Sequence, residues 1–186
     1  KWQLNRLDWK KAILFEIEQR MTSEAGIIPV KPVPEQDKYK PIHAIGLLGG
    51  KHLRVLSSKK HVGPGYRIIS VFETNNRRVM LDRGFIGIEE NFTKDNGTLI
   101  EIEGNIHWPD EKDLFTPQPD LENNIWFARD VDSMAQFLDT DPVLIVASVI
   151  RPNNTHISTT RIDATSIPNN HLQYAITWFS LAGIWV

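Results

Sequence analysis

Cysteine is absent from the 186 residues, which removes thiol catalysis, copper-thiolate centres and disulfide staples together. That absence assigns no compartment, because disulfide-free domains occur in reducing and oxidising spaces alike. Positive charge is not in excess either. With 21 Lys and Arg against 23 Asp and Glu the net charge is -2, so no global field draws the chain to nucleic acid or anionic lipid. Only six histidines are present, His43, His52, His61, His107, His156 and His171, with no His-x-His and no His-Glu-x-x-His among them. A metal cluster built from sequence neighbours is therefore excluded. No Gly-x-Ser-x-Gly elbow or other spacing singles out a nucleophile, which lowers the expectation of an enzyme. Gly46-Leu-Leu-Gly-Gly50 lacks both the phosphate-loop ending and the dinucleotide spacing, and reads as a turn.

What is present suits one ordinary domain, with 41% hydrophobic and 24% charged residues. Residues 1–22 set Trp2, Leu7, Trp9, Leu14, Ile17 and Met21 among charges at near-helical spacing without glycine or proline, which predicts an amphipathic helix. Trp2, Arg6 and Trp9 could dock a partner, or simply belong to a helix covering its own domain. Pro29, Pro32, Pro34 and Pro41 then predict an extended surface arm over 23–41.

The body reads as strands over 43–48, 53–57, 66–73, 78–86, 99–106, 125–128, 143–150 and 156–162, rich in branched and aromatic residues. Asn75-Asn76 can supply positive φ at both positions of a tight hairpin. One short helix is predicted from Asp130 to Leu138, with Asp130 or Asp132 as its cap and Met134, Phe137 and Leu138 on one side. Runs of strands with helices mainly at the ends predict an α+β fold, a mainly antiparallel β domain with terminal helices. Within it, Gly84 is expected at a bulge that sends Asp82 and Arg83 to opposite faces. Arg83 could alternatively clamp an anionic group.

Long apolar runs are missing until the end. Tyr174 to Val186 carries no charged residue in 13 positions, short of the roughly 20 that a membrane helix needs. The run is read either as a buried terminal element or as the start of a membrane helix, dividing the chain into a water-exposed domain at 1–168 and a span beginning at 169–186. Lys1 follows no apolar n-terminal run, so any start signal or first anchor is expected outside the sequence. If residues from Pro168 onward are helical, Tyr174, Ala175, Trp178, Ala182 and Trp185 fall within about 60° of His171. Such a face could ligate a haem iron and admit its macrocycle. It could equally be a helix-packing seam with interfacial aromatics.

Three stretches together resemble the surfeit locus protein one family of cytochrome c oxidase assembly factors. They are Lys1-Trp-Gln-Leu-Asn-Arg6 with Trp9-Lys10, then Val79-Met-Leu-Asp-Arg-Gly-Phe-Ile86, and last Asn169-Asn-His-Leu-Gln-Tyr-Ala-Ile-Thr-Trp-Phe-Ser-Leu-Ala182. They span nearly the whole chain, with Phe85 where that family often has tryptophan and Asp82 where it often has asparagine. The resemblance implies an inner-membrane protein with two spanning helices, its domain facing the periplasm or the mitochondrial intermembrane space. It implies a chaperone rather than an enzyme, with oxidase subunit I and other assembly factors as partners and haem a as cargo. It also implies His171 as the iron ligand, and the helical face adds Tyr174 and Trp178 as packing residues. A membrane-tethered interaction module that holds no haem is the competing expectation, and a hydrolase or oxidoreductase with a site assembled from distant loops is the third.

Overall fold

The computed structural model describes Phe15, Ile17, residues 19–90, Phe92, and residues 95–153, 156–159 and 162. Its elements are α1 (Pro34–Asp37), β1 (Pro41–Lys59), β2 (Gly63–Thr74), β3 (Arg77–Gly87), β4 (Leu99–His107), β5 (Ile125–Trp126), α2 (Val131–Leu138) and β6 (Leu144–Arg151). The strands follow the order β2-β3-β6-β4-β1-β5, and β1 also pairs with β2. That extra pairing closes β1, β2, β3, β6 and β4 into a five-stranded barrel, which removes open edges.

Most neighbours are antiparallel, as the strand-turn-strand pattern predicts. The exceptions are β3 with β6 and β1 with β5, which are parallel. With only short helices between strands, the described chain is mainly β, as expected of the mainly antiparallel body. Of the expected first helix, Phe15, Ile17 and residues 19–21 are described and are helical, with Thr22 in the turn that follows; its other residues, and the expected terminal span, lie outside the described residues. No helix among the described residues is long and apolar enough to cross a membrane.

The predicted turn at Gly46–Gly50 is instead the middle of β1. Residues 41–47 of this strand pair with β4, and from Leu47 onward, across an irregularity between Leu48 and His52, it pairs with β2. Glycine is needed there for closeness: a Cβ on Gly46 would sit 2.3 Å from the Glu73 carbonyl oxygen, and one on Gly49 2.9 Å from Val71. The two strands expected at 43–48 and 53–57 are thus one bent strand. The arm at 23–41 is not wholly extended, because Pro34 opens the single turn of α1. The strand expected at 156–162 is reduced, among the described residues, to one bridge between Ser158 and Phe85.

Alternation along the strands builds two cores. Ile42, Phe72, Val79, Leu81, Ile102 and Ile145 belong to one buried cluster. Leu53, Ile69, Met80 and Leu144 belong to the other, with Trp126 and the Val131, Met134 and Leu138 face of α2. β3 is therefore buried on both faces. At its start the Asn75-Asn76 turn has φ of 49° and 57°, the geometry expected for a tight hairpin. The Asp130 carboxylate accepts from the Ser133 amide and caps α2.

Candidate functional site

Both predicted strands of the Asp82-Arg83-Gly84 segment form, but the register between them slips. Ile69 faces Asp82 while Ile68 faces Gly84, so Arg83 has no opposite residue. This is the bulge that the glycine predicts. Asp82 is fully buried, and a buried carboxylate must be neutralised and hydrogen-bonded. Arg67 Nε donates to it at 2.7 Å, Arg129 Nη1 at 3.2 Å and the Gly84 amide at 3.1 Å. Glu111 grips the same Arg129 guanidinium through Nε at 3.0 Å and also accepts from the Arg129 amide at 3.0 Å. Two carboxylates and two guanidiniums thus form one charged cage joining β2, β3, the segment after β4 and the segment before α2.

The cage sets the protonation of its members. Burial would discharge Arg129, but Glu111 and Asp82 raise its pKa above the ordinary value. Burial would raise that of Glu111, and the hydrogen bonds and charge of Arg129 bring it below the usual range instead. His107 lies beside the cage and is pushed down to about 4, chiefly by burial and then by the positive charge of Arg129. Its buried Nδ1 has no hydrogen-bond partner among the described residues.

Arg83 and Gly84 work on the following chain and the neighbouring loop. Arg83 is only 3% exposed, pairs with Asp95 at 2.7 Å and lies over the Phe92 ring at 5.4 Å. One end of its fork, Nη2, is thus engaged by a carboxylate, while its buried Nε has no hydrogen-bond partner among the described residues. Gly84 has φ of 121°, and a Cβ there would lie 2.2 Å from the Ser158 carbonyl oxygen. Glycine alone lets the Ser158 backbone approach, donating to and accepting from Phe85 at 2.8 and 2.9 Å. Lys59 Nζ donates to Ser158 Oγ at 2.9 Å and fastens the same place.

Two open clefts flank this segment. One, of about 400 Å³, is lined by His52, Arg54, Tyr66, Glu89, Phe92 and Asn124 among others. The second, of about 470 Å³, includes Lys59, Phe85, His156 and Ser158, and Glu90 borders both. Arg54 stacks on Tyr66 at 4.9 Å and donates to the Asn123 carbonyl at 2.6 Å. Charged and polar groups share these walls with Ile68, Ile86 and Ile88, whereas a haem macrocycle asks for apolar walls on both faces. The residues of these clefts do not fit that cofactor. Among the described residues no three His, Asp or Glu side chains are grouped to hold a metal.

His171, Tyr174 and Trp178 lie outside the described residues, so the predicted haem-binding face has no described geometry. The structure brings forward Arg67, His107, Glu111 and Arg129, which sequence reasoning misses. The available signal was a lone charge inside an apolar strand: Arg67 sits before Ile68-Ile69, and Asp82 after Val79-Met80-Leu81.

Fold and site define a closed β-barrel domain with a charged cage under its wall and a glycine-gated seat for the chain that follows β6. The chain belongs to the SURF1 family, whose family model matches residues 1–183. It is similar to Surfeit locus protein 1 of Rattus norvegicus, 24% identical, with 97% of this chain and 66% of the rat protein covered. The human protein of that name is 23% identical, with 97% and 68% covered. The SURF1-like protein of Rickettsia felis is 31% identical, with 97% and 84% covered.

Proposed function

We propose that this chain is the water-exposed part of a membrane-anchored assembly factor for cytochrome c oxidase, a chaperone that holds its partners and carries out no chemistry of its own. Family membership supports the role. The observation that carries the holding reading is the seat at Gly84, where the barrel grips Ser158 on the chain leading toward His171. Haem a, held through His171 with Tyr174 and Trp178 beside it, belongs in this proposal to the terminal segment and not to the barrel clefts. The partners are oxidase subunit I and other assembly factors, at the inner membrane with the barrel facing the periplasm or intermembrane space.

The polar clefts favour a second reading, a membrane-tethered interaction module that stabilises an assembly intermediate without holding haem. The full-length protein decides between them. On purification from a haem a-producing membrane, the His171→Ala variant is expected to lose or shift the visible absorption of co-purified haem while the barrel stays folded. Unchanged haem content would remove His171 as an essential ligand. No haem in either protein, together with normal oxidase assembly in the variant, would establish the second reading.

A further inference from the structure

One part of the surface reverses the usual placement of side chains. Leu114 is 99% exposed and Phe115 91% exposed, side by side at the tip of the long connection between β4 and β5. Single exposed apolar residues are ordinary, but this pair is held in place. The Asp113 carboxylate accepts from the Phe115 amide and from Thr116 Oγ1, both at 2.9 Å, and the Asp113 amide donates back to Thr116 Oγ1 at 2.9 Å. Below the turn, Lys112 pairs with Asp130, and Glu111 with Arg129. The tip is therefore ordered at the cost of its own polar groups, with nothing gained for the core. Preorganised apolar anchors of this kind are what binding hot spots need.

The charge around the tip says what it meets. Lys112 and Arg129 are tied to carboxylates, whereas Asp110 and Asp113, beside the pair along the chain, are exposed. Hydrogen bonds from Thr116 and Phe115 hold Asp113 below the usual carboxylate range, and those from Asn123 do the same for Asp120. Asp113 and Asp120 are thereby favoured in their anionic form. A lipid surface with anionic headgroups rewards Lys and Arg and repels such a rim. We infer that Leu114 and Phe115 form a plug for a protein partner, one that offers an apolar socket bordered by Lys or Arg side chains. This rests on the loop alone and stands whether or not the chain serves oxidase assembly.

The test places a photoreactive phenylalanine analogue at position 115 of the full-length protein in its native membrane, with the exposed position 62, in the turn between β1 and β2, as the control. Cross-linked peptides are identified by mass spectrometry. The expected product is one partner protein, joined within an apolar cleft whose neighbours include Lys or Arg, at least tenfold above the control. The yield should fall several-fold in Asp113→Lys and be restored in part when a bordering Lys of the partner is changed to Glu. Products with lipid alone, with a second copy of this chain alone, or with acidic or uncharged surfaces would overturn the inference. So would a Leu114→Ser variant carrying the same probe that cross-links as well as the parent.

Discussion

The cage around Asp82 and the tip at Leu114-Phe115 invert the ordinary rule in opposite directions. One places charges where apolar groups belong, the other places apolar groups where charges belong. In the cage every carboxylate has a guanidinium and the elements it joins are distant in sequence, so the buried charge fixes which strand and which loop meet. At the tip the polar groups satisfy each other and leave two large side chains almost fully exposed. Burial cost explained by partners signals architecture. Exposure unexplained by partners signals an interface.

The largest expected effect breaks the first half of this comparison. Asp82→Ala leaves Arg67 and Arg129 charged, largely buried and short of an acceptor, which should cost about 3–5 kcal/mol. Denaturant unfolding of the barrel measures it. A loss below about 1 kcal/mol would mean that the guanidiniums find water or Glu111 instead, and that the cage does not specify the packing.

His107 sharpens the comparison through pH. Its pKa is about 6.5 when unfolded and is pushed down to about 4 when folded. Between these values the unfolded chain binds the extra proton, so stability rises with pH. The contribution is fully present above about 6.5 and is lost as pH falls toward 4, at up to about 1.4 kcal/mol per pH unit. Glu111, whose folded pKa is also depressed, adds to the loss in the acid range below its own unfolded value. Urea midpoints measured from pH 4 to 8 should slope in the parent and flatten above pH 5 in His107→Gln.

Gly84→Ala comes next. A left-handed residue with a Cβ pressed on the Ser158 carbonyl should cost about 1–3 kcal/mol. More telling than the total is where the loss appears. Hydrogen exchange should speed up at the Phe85 and Ser158 amides while Val79 to Leu81 remain protected, because only the seat is forced open. Uniform acceleration across β3 would make Gly84 a general core residue rather than a gate for the chain beyond it.

These residues also show what sequence could reveal. Strands with branched side chains, the Asn75-Asn76 turn, the Asp130 cap and the bulge at Gly84 are local effects and were legible. The path of β1 was not, since Gly46 and Gly49 are glycines for contact with Phe72, Glu73 and Val71, and only the closed barrel brings those residues near. The parallel pairing of β3 with β6 likewise depends on closure. The cage escaped for the same reason, as Arg67, Asp82, Glu111 and Arg129 come from four separate segments. Ser158 looked like part of a strand because its neighbours are β-formers, yet its single bridge follows from the missing side chain of Gly84. Family membership was readable from three short patches.

The smallest expected effect concerns the tip and is the sharper for being small. In Leu114→Ser with Phe115→Ser, neither side chain gives up packing, because both are almost fully exposed. The turn beneath them is held by Asp113 and Thr116, which remain. Surface changes away from caps and cores usually stay within about 0.5 kcal/mol, and the double variant should unfold within that margin of the parent, against several kcal/mol for Asp82→Ala. A drop well beyond that margin would mean that Leu114 and Phe115 already pack on something in the isolated protein. Measuring the unfolding midpoint across a hundredfold range of protein concentration identifies that something, since contact with a second copy makes stability rise with concentration and contact within the chain does not. A flat profile with an unchanged midpoint leaves the two residues stabilising nothing within the chain, and that is the condition under which their ordered exposure is explained by a partner.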